Sequence, residues 1–516
     1  MSLFINKEEE MNMEKRTSEK RGAQKTCKKP LLRQFSPLLV AMVGLPGRGK
    51  SILAKRLERY MNFTGDNTKV YDISEYRRKH MEKYASHEMF KADNLPALGI
   101  RIQSFREALE DAAAWLSETG NKLAILDGPN VSRSQREEIY DLVYTQLGFR
   151  VMFIECVCED RMMLERNFKV GNSGAIENIG DSVVATTDWK FSYYFFFGVV
   201  QEILQYSADY RGMAAQEALK DLTLKMAHYK AQYVSPSLGS EWELPCPMVK
   251  VLDGGEGGVI AHGVNGVMEA KILSYISTPR PFQQTLYFSR HGESEYNVIG
   301  KIGGNAPLSP RGQKYAESLA KHVKALNLPS LQVWTSTLDR TKATSSGIKA
   351  PQLHLPELDE IYSGECESLT YEELQDLFPK ELALRDHQKL KYRYPQGESY
   401  LDVMRRLVPV LMQLETETNV LVVSHQAVLR CILAYFLEKP LEEVPYMHVP
   451  LHTIIKVTLQ GYNYNIETIK MPIECVDTNR PKPANCSMNR TAEDALKTVP
   501  AHFDDVTQLI HALEAV

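Results

Sequence analysis

Two constellations in this chain have residue types and spacings suited to phosphoryl chemistry. The first is "VGLPGRGKS", in which Gly44, Gly49, Lys50 and Ser51 fit G-x-x-x-x-G-K-[ST]. In such a loop the glycines let backbone N–H groups turn toward phosphate oxygens, the lysine reaches the terminal phosphates and the hydroxyl ligates Mg2+. The second is "YFSRHGESEYN", where His291 stands between Arg290 and Gly292. An imidazole attacks a phosphoryl group when cations neutralise the equatorial oxygens and an acid protonates the departing alkoxide. Candidates for those tasks are His425 in "LVVSHQAVLR", Arg340 after "WTSTLD" and Glu360 in "LDEIYSGECE". Singly, each is more often a packed or surface residue. Two histidines, an arginine and a carboxylate together point to transfer through a phosphohistidine.

The surrounding pattern says what must position these groups. From Leu38, apolar runs ("LLVAMVG", "KLAILDG", "VMFIECV") alternate with helix-like stretches such as "SILAKRLERYM" and "IQSFREALEDAAAWLSE". That alternation predicts an α/β domain with a mostly parallel sheet and helices on both faces. A turn-rich connection at 277–284 leads to a second alternating series, "TLYFSRHG", "LQVWTSTL" and "NVLVVSHQ", hence a second α/β domain. His291 and His425 then stand at the C-terminal ends of strands, where α/β folds place ligands. Asp127 ends "LAILD" and is placed to hold a metal beside the phosphate loop. Arg77, Arg78, Lys91, Arg101, Arg133 and Arg136 offer cations for a phosphorylated acceptor, although each alone reads as a solvated charge.

Length and composition exclude other classes. The 516 residues are too many for one hydrophobic core. A net charge of -4, without long runs of one sign, gives no footprint of a nucleic-acid binder. The eight cysteines are scattered and suit a reducing cytosol. Residues 1–37 read as a disordered tail without a secretory signal, and the apolar run 191–200 is about half the length that spans a bilayer. Past Met471 a polar tail is expected, ending in a helical pattern of Phe503, Val506, Leu509, Ile510 and Leu513.

"RHGESEYN", "SHQAVLRC", "LTYEEL" and "YRYPQGESY" resemble the phosphoglycerate mutase-like histidine phosphatases. With "GLPGRGKS" upstream, the chain resembles the bifunctional 6-phosphofructo-2-kinase/fructose-2,6-bisphosphatases from about Leu38 to Met471. The resemblance implies a P-loop kinase domain at 38–280, a histidine phosphatase domain at 281–472 and a tail at 473–516. It implies synthesis of fructose 2,6-bisphosphate from ATP and fructose 6-phosphate with Mg2+, and its hydrolysis to fructose 6-phosphate and phosphate, in a cytosolic homodimer. No nucleic acid and no membrane enters this picture.

By motif, the resemblance implies His291 as the nucleophile and Glu360 as the general acid. Arg290, Asn297, Gly303, Arg340 and His425 would serve the transferring phosphoryl group. Tyr371, Arg385, Lys389, Tyr400, Gln426 and Arg430 would serve the sugar and its 6-phosphate. Arg340 is replaced in some relatives with weak phosphatase activity, so its presence argues for hydrolysis. In the kinase half, Gly44, Gly47, Arg48, Gly49, Lys50, Ser51, Asp127, Asn130 and Asn167 would bind ATP, with Ser51 and Asp127 holding Mg2+. Arg77, Arg78, Arg101, Arg133, Arg136, Lys225 and Tyr229 would bind fructose 6-phosphate. The kinase half also departs from the family. Lys225 replaces an expected arginine, and residues of about 168–201 form an insertion that leaves Leu204 where a catalytic lysine is expected. Lys169 is the nearest substitute. The insertion reads as a loop covering the site or as an aberrant splice or translation product, and its presence leaves a phosphatase-only form as the alternative function.

Overall fold

The computed structural model describes residues 36–81, 84, 86–158, 203–204, 207–236, 244–461, 463–487 and 489–499. The expectations for residues 1–35, the insertion at 168–201, Asn167, Lys169 and the helical pattern at 503–513 lie outside the described residues.

Two six-stranded sheets form the frame. The first has the order β2-β3-β1-β4-β5-β6, built from β1 (Leu38–Val43), β2 (Thr68–Asp72), β3 (Leu123–Asp127), β4 (Arg150–Val157), β5 (Met248–Leu252) and β6 (Gly258–His262). All pairings are parallel except β5 with β6. Every residue of β1 is buried, as a central strand covered on both faces requires. Its alternate residues serve opposite layers. Leu38, Val40 and Met42 pack with Leu57 and Met61 of the helix Lys50–Phe63. Leu39, Ala41 and Val43 pack with Phe105 and Leu109 of the helix Leu95–Ser117.

The second sheet has the order β12-β11-β7-β10-β8-β9, built from β7 (Gln283–Arg290), β8 (Gln332–Thr335), β9 (Gln352–His354), β10 (Asn419–Ser424), β11 (Thr453–Gln460) and β12 (Asn463–Lys470). Strands β7, β10, β8 and β9 run parallel, and β11 and β12 are antiparallel additions. Among the described residues no helix is long and apolar enough to cross a membrane.

The two domains share one apolar cluster, in which Tyr60 and Phe63 of the first meet Tyr275, Tyr435 and Phe436. At its centre lies a buried charge. Glu415, 2% exposed, follows the helix Tyr400–Leu414. One of its oxygens accepts from Arg59 (2.6 Å) and Tyr435 (2.7 Å), the other from Arg280 (2.6 Å) and Tyr275 (3.0 Å). Burial alone would raise this carboxyl, but Arg59 and Arg280 outweigh it and hold it down at about 2. Arg56 adds a second tie, donating to Gly461 O (2.8 Å) and Pro281 O (3.0 Å).

The stretch from 473, expected as a polar tail, packs on the second domain as far as it is described. Val476, Arg480 and Ala495 are each no more than 5% exposed, and Thr491 caps a short helix, Ala492–Leu496. The reason is an ion pair invisible in local sequence, Arg480 with Asp386 at 2.8 Å.

Glu415→Gln should cost about 3–5 kcal/mol, because it strands two buried arginines. Calorimetry should then resolve two thermal transitions in place of one. In the wild type, a carboxyl held below its unfolded value stabilises the fold above about pH 4.3. That contribution is lost as the pH falls toward 2, so the acid sensitivity of docking should shrink in the variant.

Candidate active sites

Each sheet delivers one site at the C-terminal ends of its parallel strands. In the first domain, β1 ends at Val43 and the loop Gly44–Gly49 turns into the helix that begins at Lys50. Gly47 and Gly49 have φ of 73° and 77°, a left-handed backbone that favours glycine. At Gly44 a Cβ would lie 2.5 Å from Cys156 O. Lys50 Nζ donates to Leu45 O (2.7 Å). Burial lowers its affinity for a proton, against the pull of Asp127.

The register that pairs Asp72 with Asp127 sets two carboxylates side by side at the ends of β2 and β3. Burial, and then the charge of Asp72, pushes Asp127 up to about 6, while a hydrogen bond from Ser51 and the charge of Lys50 oppose the shift. A mutually repelling acid pair beside a serine hydroxyl suits a hard cation held partly by phosphate oxygens. Asp72 is the residue that sequence reasoning missed. Its signal was present, since "TKVYD" ends as "LAILD" does.

Of the acceptor cations, Arg77, Arg78, Arg101 and Lys225, with Tyr229, line the same cavity as Gly47, Arg48 and Gly49. Asp209, also missed, gathers three of them, accepting from Arg77 (2.5 Å) and Lys225 (3.3 Å), with Arg78 at 3.7 Å. Burial, reinforced by Arg77, brings Lys225 down to about 8. Three expected residues stand apart from this cavity. Ser132 forms a capping box with Gln135, so the helix Arg133–Tyr140 turns Arg133 outward to Glu137 (2.9 Å) and Arg136 inward. Arg136 is fully buried and donates to Asn130 O and Val131 O. Asn130 is buried too, and its amide donates to Met42 O. Arg136 and Asn130 thus brace the loop beneath the site. Lys91 pairs with Glu88 instead. Leu204 packs beside Tyr210 and Leu222, while its neighbour Ile203 lines the cavity.

In the second domain the parallel register Ser424 with Arg290 ends β10 and β7 level with each other. The next residues, His425 and His291, therefore stand together, with ring centroids 5.1 Å apart. His291 Nδ1 lies 2.7 Å from Gly292 O, so Nδ1 carries the proton and Nε2 keeps its lone pair. Arg340 donates to His425 Nδ1 (3.1 Å), which leaves the His425 Nε2–H to donate to Ser336 Oγ (2.7 Å). Burial, then the charge of Arg340, lowers both imidazoles well below the usual histidine value. Both are neutral at neutral pH, and His291 is a ready nucleophile. With both ring nitrogens engaged, His425 orients Arg340 and does not itself line the cavity.

Arg340 also donates to Gly304 O (2.6 Å). Arg290, brought down to about 10 by burial, stays charged and donates to Thr478 Oγ1 (2.7 Å). Glu360 accepts the backbone N–H groups of Ile361, Gln426 and Ala427 at 2.9–3.2 Å, the last two from the first turn of the helix Gln426–Phe436. Glu360 lines the same cavity as His291. Asn297 completes a capping box with Ser294, and Gly303 adopts φ 65° where a Cβ would strike Glu367.

The far end of the cavity is basic. Arg385 donates to Tyr394 and Tyr371, Lys389 to Pro445 O, and Arg430 to Tyr400 and Met447 O. All these cations, with Tyr371, Tyr400 and Gln426, line the cavity that holds His291. Thr478 and Arg480, expected in a tail, line it as well.

Residues 286–471 match the Histidine phosphatase superfamily (branch 1), and residues 27–182 match 6-phosphofructo-2-kinase. Over 468 residues, 91% of this chain and 92% of the relative, it is 38% identical to 6-phosphofructo-2-kinase/fructose-2,6-bisphosphatase of Aquarana catesbeiana. Over 482 residues, 93% of this chain and 95% of the relative, it is 38% identical to 6-phosphofructo-2-kinase/fructose-2,6-bisphosphatase 4 of Homo sapiens. The Gallus gallus protein is 37% identical over 90% of this chain.

Nitrogen-15 spectra should show His291 as the neutral Nδ1–H tautomer and His425 as the neutral Nε2–H tautomer at pH 6, where an unperturbed histidine, with pKa about 6.5, is mostly protonated. Arg340→Gln should move the His425 titration back upward. Midpoints near 6.5 for both rings in the wild type would contradict this account.

Proposed function

This chain belongs to the 6-phosphofructo-2-kinase/fructose-2,6-bisphosphatase family, and on that premise we propose that it both makes and breaks fructose 2,6-bisphosphate. The N-terminal domain phosphorylates fructose 6-phosphate at the 2-position with ATP. The C-terminal domain removes that phosphate. The observation that carries the reading is the side-by-side ending of β7 and β10, which gives His291 a free Nε2 between Arg290 and Arg340.

In hydrolysis, His291 Nε2 attacks the 2-phosphoryl group while Arg290 and Arg340 hold its equatorial oxygens. Glu360 gives a proton to the departing 2-oxygen of the sugar, and the resulting carboxylate takes one from the water that later cleaves the phosphohistidine. Arg385, Lys389 and Arg430, clustered at the far end of the cavity, bind the 6-phosphate.

In synthesis, the loop amides and Lys50 cradle the ATP phosphates, and Arg77, Arg78, Arg101, Lys225 and Tyr229 bind fructose 6-phosphate. Ser51 and Asp127 would hold Mg2+, with Asp72 beside them; when bound, the ion neutralises charge on the phosphates. The basic edge of the cavity and the aspartate pair divide the work, one orienting the acceptor and the other the metal. The enzyme works as a cytosolic homodimer.

In the His291→Ala protein, hydrolysis should fall by about a thousandfold or more. Incubated with ATP and fructose 6-phosphate, this variant should accumulate fructose 2,6-bisphosphate. Absence of product, with hydrolysis intact in the wild type, would leave only the C-terminal activity.

A further inference from the structure

The segment that leaves β12 turns back over the hydrolytic cavity and makes consecutive contacts with its cations. Val476 N donates to Glu293 Oε2 (2.9 Å), beside the His291 loop. Thr478 Oγ1 accepts from Arg290 (2.7 Å), and Asn479 Oδ1 from Arg430 (3.3 Å). Arg480 then forks onto Asp386 with two bonds of 2.9 and 2.8 Å and lies 4.6 Å from the Tyr371 ring centroid.

A fork onto a carboxylate would ordinarily account for an arginine, but here the carboxylate is shared. Asp386 also meets Arg385 (3.2 Å) and Arg490 (2.9 Å). Lys389 and Arg430 belong to the same field, since after burial the charges of Arg385, Arg430 and Arg480 lower the Lys389 ammonium. Arg480 is 3% exposed, yet it lines the cavity together with Arg385, Lys389 and Arg430. A buried surplus of positive charge is costly unless an anion completes it. The charges that act most on His291 are Arg340 and Arg290, not these cations.

We propose that Arg480 is a substrate-binding residue of the hydrolytic site, giving a cation to the phosphate that is not cleaved, and that the segment after β12 is part of that site. This rests on the reading that the substrate is a sugar bisphosphate. Besides the two bonds to Asp386, Arg480 Nε donates to Thr498 Oγ1 and Nη2 to Ala495 O, both at 3.2 Å, which leaves one Nη1 N–H to meet an anion in the cavity as a charge-assisted donor. Arg490 shares Asp386 but does not line the cavity, which makes it the natural control.

The full-length chain should be assayed with fructose 2,6-bisphosphate and with fructose 2-phosphate, which lacks the second phosphate. Arg480→Gln should raise KM for the bisphosphate about 10- to 100-fold, with little change in kcat, and so narrow the preference over the monophosphate. Arg480→Lys keeps a point charge without the fork and should lie between; it also carries the test if the glutamine variant does not fold. Arg490→Gln should leave both KM values nearly unchanged, because Arg490 does not line the cavity. The proposal is overturned if the Arg480 variants lose equally on both substrates, if they shift neither KM, or if Arg490→Gln matches Arg480→Gln. A wild-type chain that hydrolyses neither substrate removes the underlying reading first, and the proposal with it.

Discussion

Both phosphate-handling sites hang on one buried carboxylate. The helix that begins at the phosphate loop, Lys50–Phe63, carries Arg59 onto Glu415. The helix that begins beside His425 and Glu360, Gln426–Phe436, brings Tyr435 onto the same oxygen. Each helix therefore has a phosphate site at its N-terminus and the shared junction along its body. A buried carboxylate is tolerable only when its charge is neutralised and its lone pairs are filled. Four donors do this for Glu415, and they come from three separate stretches of chain, around Arg59, from Tyr275 to Arg280, and at Tyr435. Satisfying that group, together with the shared apolar cluster and the Arg56 contacts, sets the relative placement of the domains.

The two sites solve the problem of collecting phosphate in different ways. The first relies on backbone: a glycine-bearing loop, a helix N-terminus and two strand-end acids for a cation. The second relies on buried side-chain cations, and it can carry them because its histidines stay neutral. Protonating His291 beside Arg290 and Arg340 would add charge to a desolvated, already positive site, so the imidazole remains a nucleophile. In the proposed mechanism Arg340 would serve twice, holding the phosphoryl oxygens and fixing the tautomer of His425.

Asp209 and Asp386 play matching roles. Each is an acid shared by three cations, Arg77, Arg78 and Lys225 in one case and Arg385, Arg480 and Arg490 in the other. Neither neutralises its cluster. Each instead fixes the directions of its cations while leaving net positive charge for an anionic ligand.

The sequence by itself determined whatever depends on neighbours along the chain. The loop from Gly44 to Ser51, the strand-end positions of Asp127, His291 and His425, the two α/β domains and the family were legible because a strand followed by a turn writes its signal within about ten residues. Other features were decided only by tertiary structure, because their partners are far apart in sequence. Asp72 came to stand beside Asp127 through the register of β2 with β3. Arg133 and Arg136, alike in composition, were separated by the phase of one short helix. Glu415 meets Arg59 across 356 residues, and Arg480 meets Asp386 across 94. The stretch after Met471 is polar and reads as a tail, yet its arginine has a buried acid to reach. Local pattern fixes the strands and turns that carry the chemistry, whereas burial decides which distant charges must find one another, and no short window of sequence contains both halves of such a pair.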